Sequence, residues 1–123
     1  MNNFNGQTLD PQKTNQILEK FREKHVNDTY PERILMINHL KNLEKRLPVE
    51  RLRDIVIPKQ QNIYMYHERM KNLYLTNANI IFEYIEQLEP WEDVDCIIFD
   101  EKLEWYLGIN HSEELLLSGI CIE

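Results

Sequence analysis

Glycine is scarce in this chain: three residues in 123. None forms the glycine-rich loop before a helix that cradles phosphate, so a nucleotide-binding enzyme is not expected. Serine occurs only at Ser112 and Ser118, and neither lies in a G-x-S-x-G elbow. The two cysteines, Cys96 and Cys121, form no C-x-x-C pair. The four histidines, at 25, 39, 67 and 111, are scattered and lack metal-ligand spacing. No metal or other cofactor is expected. Proline is also sparse, with five residues, and a long disordered region has little support. The longest aliphatic runs, such as Ile34 to Ile37 and Leu115 to Leu117, are far too short to cross a bilayer. The N-terminal MNNFNGQTLDPQK is polar and has no apolar core of a leader, so a cytoplasmic location is expected.

What is present fits one domain. Twelve aromatic residues supply bulky core material. Both cysteines fall in expected strands, which suggests buried thiols in a reducing compartment and leaves a bridge open. The net charge of −7 is unevenly divided. From Glu83 to Glu123 there are twelve acids and one base, Lys102, whereas the first 82 residues hold thirteen bases and nine acids. An acidic face of this kind repels nucleic acid and attracts a basic partner. The competing reading is a solvated acidic surface that maintains solubility.

Residues 1–9 read as a loose arm. Asp10-Pro11 starts a helix, and Ile17, Leu18, Phe21 and His25 share one side of it to about Asn27. Thr29 to Glu32 matches a capping box, followed by Met36, Leu40, Leu43 and Leu47 at helical spacing. Pro48 should end that second helix at Leu47. A helical turn and a strand, Arg53 to Ile57, are expected next. Strands Asn62 to His67 and Asn72 to Thr76 follow, joined by the polar Glu68 to Lys71. Asn77 caps a helix from Ala78 to Glu89, apolar on more than one side.

The last third is a hairpin and a final strand. Val94 to Phe99 is apolar on both faces, and Asp100-Glu101-Lys102 is the turn. Leu103, Trp105, Leu107 and Ile109 then alternate with Glu104, Tyr106, Gly108 and Asn110. That alternation predicts a half-buried strand with Tyr106 on the solvent side. Leu115 to Ile122 forms the last strand. The expected fold is α+β: N-terminal helices packed on a mainly antiparallel sheet that ends in a C-terminal β-meander.

Two sites compete. Asp100-x-Lys102 directly after an apolar strand looks like half of a metal-dependent nuclease signature. The upstream acids Glu83, Glu86 and Glu89 lie on a helix, however, and Asp-Glu-Lys is ordinary turn chemistry. Lys41, Lys45, Arg46, Arg51 and Arg53 form a basic group, but Glu44, Glu50 and Asp54 dilute it and no stacking aromatics accompany it. Direct nucleic-acid binding is therefore not expected. The other site is a partner-binding surface of Glu92, Asp93, Asp95, Asp100, Glu101 and Glu104 around an exposed Tyr106. Acids around an aromatic anchor steer and then hold a basic protein.

The run DCIIFDEKLEWYLGINHSEELLLSG, from Asp95 to Gly119, resembles the C-terminal part of small acidic bacterial proteins of immunity type. Asp100, Trp105, His111 and Gly119 carry the likeness. Ser112 stands where those proteins have an acid. The resemblance implies an inhibitor that neutralises a toxin inside the producing cell. The leading expectation is thus a non-catalytic inhibitor, of immunity or phage-antagonist type, that acts as a monomer or homodimer and blocks a basic partner such as a nuclease. The alternatives are the Asp100/Lys102 nuclease and a regulatory interaction subunit.

Overall fold

The computed structural model describes residues 7–26, 37, 39–57, 63–68, 71–87, 95–110 and 112–122. The first helix, α1, runs Pro11–His25. Asp10 caps it, its carboxylate accepting from the Lys13 N–H at 2.8 Å, and Pro11 occupies the first turn. Arg22, Lys24 and His25 sit in the last turn, where a base suits the helix dipole. Thr14, Leu18, Phe21 and His25 are buried along one stripe. Full burial of Phe21 alone is worth about 2–3 kcal/mol.

The strands are β1 (Gln7–Thr8), β2 (Lys45–Pro48), β3 (Ile55–Val56), β4 (Ile63–His67), β5 (Asn72–Thr76), β6 (Cys96–Asp100), β7 (Tyr106–Ile109), β8 (Glu114–Ser118) and β9 (Cys121–Ile122). Seven of them form one sheet in the order β1-β5-β4-β6-β7-β8-β2, and β3 pairs with β9 separately. Every neighbouring pair is antiparallel. The α+β class and the antiparallel meander at β6-β7-β8 agree with the sequence reading. β5 and β6 run the same way on either side of β4, and the second helix, α2 (Ala78–Glu86), connects them. This is a split β-α-β unit. Asn77 caps α2 by accepting from the Ile80 N–H at 3.0 Å.

The sheet is covered on both faces. Leu18 and Phe21 of α1 pack on Tyr64, Tyr66, Ile97, Phe99, Tyr106 and Leu116. Ile81, Tyr84 and Ile85 of α2, with Leu52 and Ile55, pack on the opposite face with Met65, Ile98, Leu107, Leu115 and Leu117. The α1 face holds an aromatic stack: Phe21 lies 4.7 Å from Phe99 and 6.1 Å edge-on from Tyr106, centroid to centroid. Such pairs add about 0.5–1.5 kcal/mol each beyond area burial.

Three expectations are corrected. The arm does not extend to residue 9: Gln7–Thr8 pairs with β5, and the Leu9 N–H donates to the Leu73 carbonyl at 3.0 Å. The helix expected to reach Leu47 is absent from residues 40–47. Leu40 bridges to Val26, Asn42 takes a left-handed conformation (φ 65°), and Lys45–Pro48 is a strand on β8. The leucines repeat at helical spacing, yet Leu40 and Leu43 pack on the α1 face and Leu47 on the other. One helix stripe cannot serve two cores. The proposed capping box at Thr29 to Glu32 lies outside the described residues.

The third correction concerns the last strand, which stops at Ser118. Gly119 turns the chain with φ 71°, so that Cys121–Ile122 can pair with Ile55–Val56. A Cβ at Gly119 would stand 2.5 Å from the Glu104 carbonyl oxygen. Conformation and contact thus both require glycine. Gly119→Ala is expected to lower stability by about 1–3 kcal/mol, read as a reduced urea midpoint with an unchanged slope.

Candidate protein-binding surface

The expected surface is built on the turn between β6 and β7. β6 enters it at Asp100, and the chain returns through Glu101, Lys102, Leu103 and Glu104. Leu103 adopts φ 59°, an uncommon conformation for a leucine. Three interactions hold it there. Its N–H donates to the Asp100 carbonyl at 3.1 Å. Its carbonyl accepts from His25 Nε2 of α1 at 2.9 Å. Asp100 Oδ1 accepts the next two backbone donors, Glu104 N–H at 2.7 Å and Trp105 N–H at 3.2 Å.

Asp100 is therefore the inner clamp of the turn. Its residue is 1% exposed, and Oδ2 is buried without a hydrogen-bond partner. This corrects its placement on the binding surface. A carboxylate at a strand end satisfies the amides of a tight reversal better than water does when the reversal is buried. Asn110 serves the β7–β8 turn similarly, its Oδ1 accepting from the Ser112 and Glu114 N–H groups at 3.0 Å each.

Tyr106 is the second correction. It is 0% exposed and packs among Phe21, Phe99 and His25 rather than facing solvent. The alternation was real, but α1 covers the face that should have been wet. Its hydroxyl donates to the Lys41 carbonyl at 2.9 Å. Burial, with the Glu44 charge adding, pushes its pKa up to about 12. Asp95 is the third correction: it is 0% exposed, and its carbonyl accepts from the Glu68 N–H at 2.9 Å. Glu92 and Asp93 lie outside the described residues.

What remains outside is Glu101 and Glu104, both exposed, with Lys102 between them. One acid missing from the sequence-based set belongs beside them. Glu44 is exposed and accepts from the Gly119 N–H, and Gly119 lies against the Glu104 carbonyl. The helix expected to run to Leu47 hid this proximity, since Glu44 lies instead on the non-helical segment before β2.

Other acids meet the chain's own bases. Glu86 receives both Nε and Nη2 of Arg53, at 2.7 and 2.6 Å, which lowers the Glu86 pKa. Arg53 also lies over the Phe82 ring, 4.9 Å from its centroid. Arg46 meets Glu114 at 3.5 Å, and Arg51 pairs with Asp54. These pairs are exposed, so solvent and salt screen them and they contribute little to holding the fold together.

The nuclease pair does not assemble at the surface. Asp100 turns inward, whereas Lys102 is exposed. Among the described residues no three His, Cys, Asp or Glu side chains gather as metal ligands. None of the helices among those residues is long and apolar enough to cross a membrane. Cys96 is buried and free, and burial pushes its thiol pKa well up. His111 lies outside the described residues.

No family model, curated protein or solved structure matches this chain.

Two outcomes test the geometry. Asp100→Ala should cost about 1–3 kcal/mol by stranding two turn amides, while Asp100→Asn, which keeps one acceptor, should cost clearly less in urea melts. Peptide-mapped alkylation at pH 8 should leave Cys96 unlabelled in the native protein and label it fully in denaturant.

Proposed function

We propose that the protein is a non-catalytic inhibitor, cytoplasmic and of immunity or phage-antagonist type, that binds a basic partner through the β6–β7 turn. The observation that carries this reading is the turn itself. Glu101 and Glu104 stand in solvent on a backbone fixed from inside by Asp100 and His25. A rigid pair of like charges loses little freedom on docking, and it steers an oppositely charged surface. Glu44 extends the acidic group along the same edge through its bond to Gly119.

Among the described residues the revised contact set is Glu44, Glu101 and Glu104, without Asp95, Asp100 or Tyr106. A basic toxin or nuclease whose active groove carries lysines and arginines is the kind of partner this edge fits. The nuclease alternative has less support, because Asp100 is already committed to backbone donors.

Affinity capture from the native cell tests the proposal. Immobilised protein should retain a basic protein at low salt and release it as ionic strength rises to about 0.5 M. Glu101→Lys with Glu104→Lys should lower that affinity at least about tenfold without lowering the melting temperature. Retention that is unaffected by the double substitution and by salt removes the turn as the contact. Mg²⁺-dependent cleavage of DNA or RNA, lost in Asp100→Asn, would favour the enzyme instead.

A further inference from the structure

His25 joins three parts of the molecule. The residue is 3% exposed, and its ring lies 5.3 Å from Phe21 and 5.0 Å from Tyr106, centroid to centroid. Nε2 is 2.9 Å from the Leu103 carbonyl, which can only accept, so Nε2 carries the proton. Nδ1 is 3.4 Å from Asn42 Nδ2, which donates to it and also to the Lys24 carbonyl at 3.1 Å. Both ring nitrogens are thus assigned, and the imidazole is neutral. The backbone closes the same node: the Lys41 N–H donates to the His25 carbonyl at 2.7 Å, and the Tyr106 hydroxyl to the Lys41 carbonyl.

We propose that His25 is an acid-sensitive latch whose protonation releases the segment from Leu40 to Leu43 from the end of α1. A proton on Nδ1 would confront the Asn42 amide, turning an acceptor into a second donor. The amide must then turn over, giving up the Lys24 carbonyl, or the segment must move away. The bond from Nε2 to Leu103 survives either change, so the release is confined to one side of the ring.

On balance the surroundings of the ring oppose its protonation. Burial opposes the imidazolium most strongly, and Lys24 on α1 and Lys41 on the released segment oppose it as well. The Leu103 carbonyl and the more distant Asp100 favour it, and the balance lowers the native pKa below 6.5. A group that is harder to protonate in the fold stabilises the fold fully above its unfolded value. That contribution is lost as pH falls below about 6.5. The latch is therefore closed at neutral pH and opens on acidification.

The inference is independent of the binding reading and is tested on the protein alone. Amide exchange, corrected for intrinsic rates, is measured at Lys41 and across 40–43 at pH 7.5 and pH 5. Wild type should lose roughly tenfold of its protection there per unit of pKa difference, with β4 and β6 unchanged. His25→Gln, which keeps a donor and an acceptor but cannot titrate, should show no such loss. Asn42→Asp, which offers a carboxylate to the new proton, should suppress the loss and raise the His25 pKa in an NMR titration. The proposal is overturned if His25→Gln loosens as wild type does, or if wild-type 40–43 stays protected while its His25 titrates. If His25→Gln does not fold, the wild-type titration and Asn42→Asp decide alone.

Discussion

Coverage of β6 and β7 on both faces is the constraint from which the rest follows. A strand buried on both sides leaves none of its side chains in water, whatever their polarity. Asp95, Asp100 and Tyr106, three polar residues of a chain rich in exposed charge, are therefore drawn inside with Ile97, Phe99 and Leu107. Each needs an internal role. Asp100 holds two turn amides and Tyr106 reaches the Lys41 carbonyl. His25, at the end of α1, reaches the same turn through the Leu103 carbonyl and so ties the helix to the sheet by a directional bond as well as by apolar contact.

Local chemistry made several elements legible. The Asp10-Pro11 start and the Asn77 cap were readable because each depends on residues within four positions, and the turn after Asp100 was readable from its Asp-Glu-Lys chemistry. The misread parts depend on distant neighbours. Leu40, Leu43 and Leu47 have helical spacing, but two cores far apart in sequence divide them. Tyr106 alternates as a solvent-facing residue would, and only the presence of α1 above it changes the outcome. No residue within ten positions of Tyr106 carries that information. For Asp100, the turn chemistry was visible while the inward aim of the carboxylate was not.

The division of charge along the chain also takes on a different meaning in space. Arg53 and Arg46, from the basic two-thirds, reach Glu86 and Glu114 of the acidic third. Part of the sequence asymmetry is thus internal complementarity. Burial of Asp95 and Asp100 removes more of it from the surface. Among the described residues, Glu44, Glu101 and Glu104 form a short acidic edge beside the β6–β7 turn. The field of so short an edge is short-ranged and sensitive to salt.

The strand order has a consequence for how the chain reaches its native state. β2 lies at one rim of the sheet, and its sole neighbour, β8, is made about seventy residues later, Lys45 meeting Leu117. β5 and β6 likewise cannot be bridged until β4 stands between them. A nascent chain can form the β4–β5 hairpin early, whereas β2 must wait, solvated, until β8 emerges. Lys45, Arg46 and Pro48 suit that wait: the bases repel other strands, and proline offers no N–H to a stray one. The rim is thus guarded against premature pairing by the residues that later complete it.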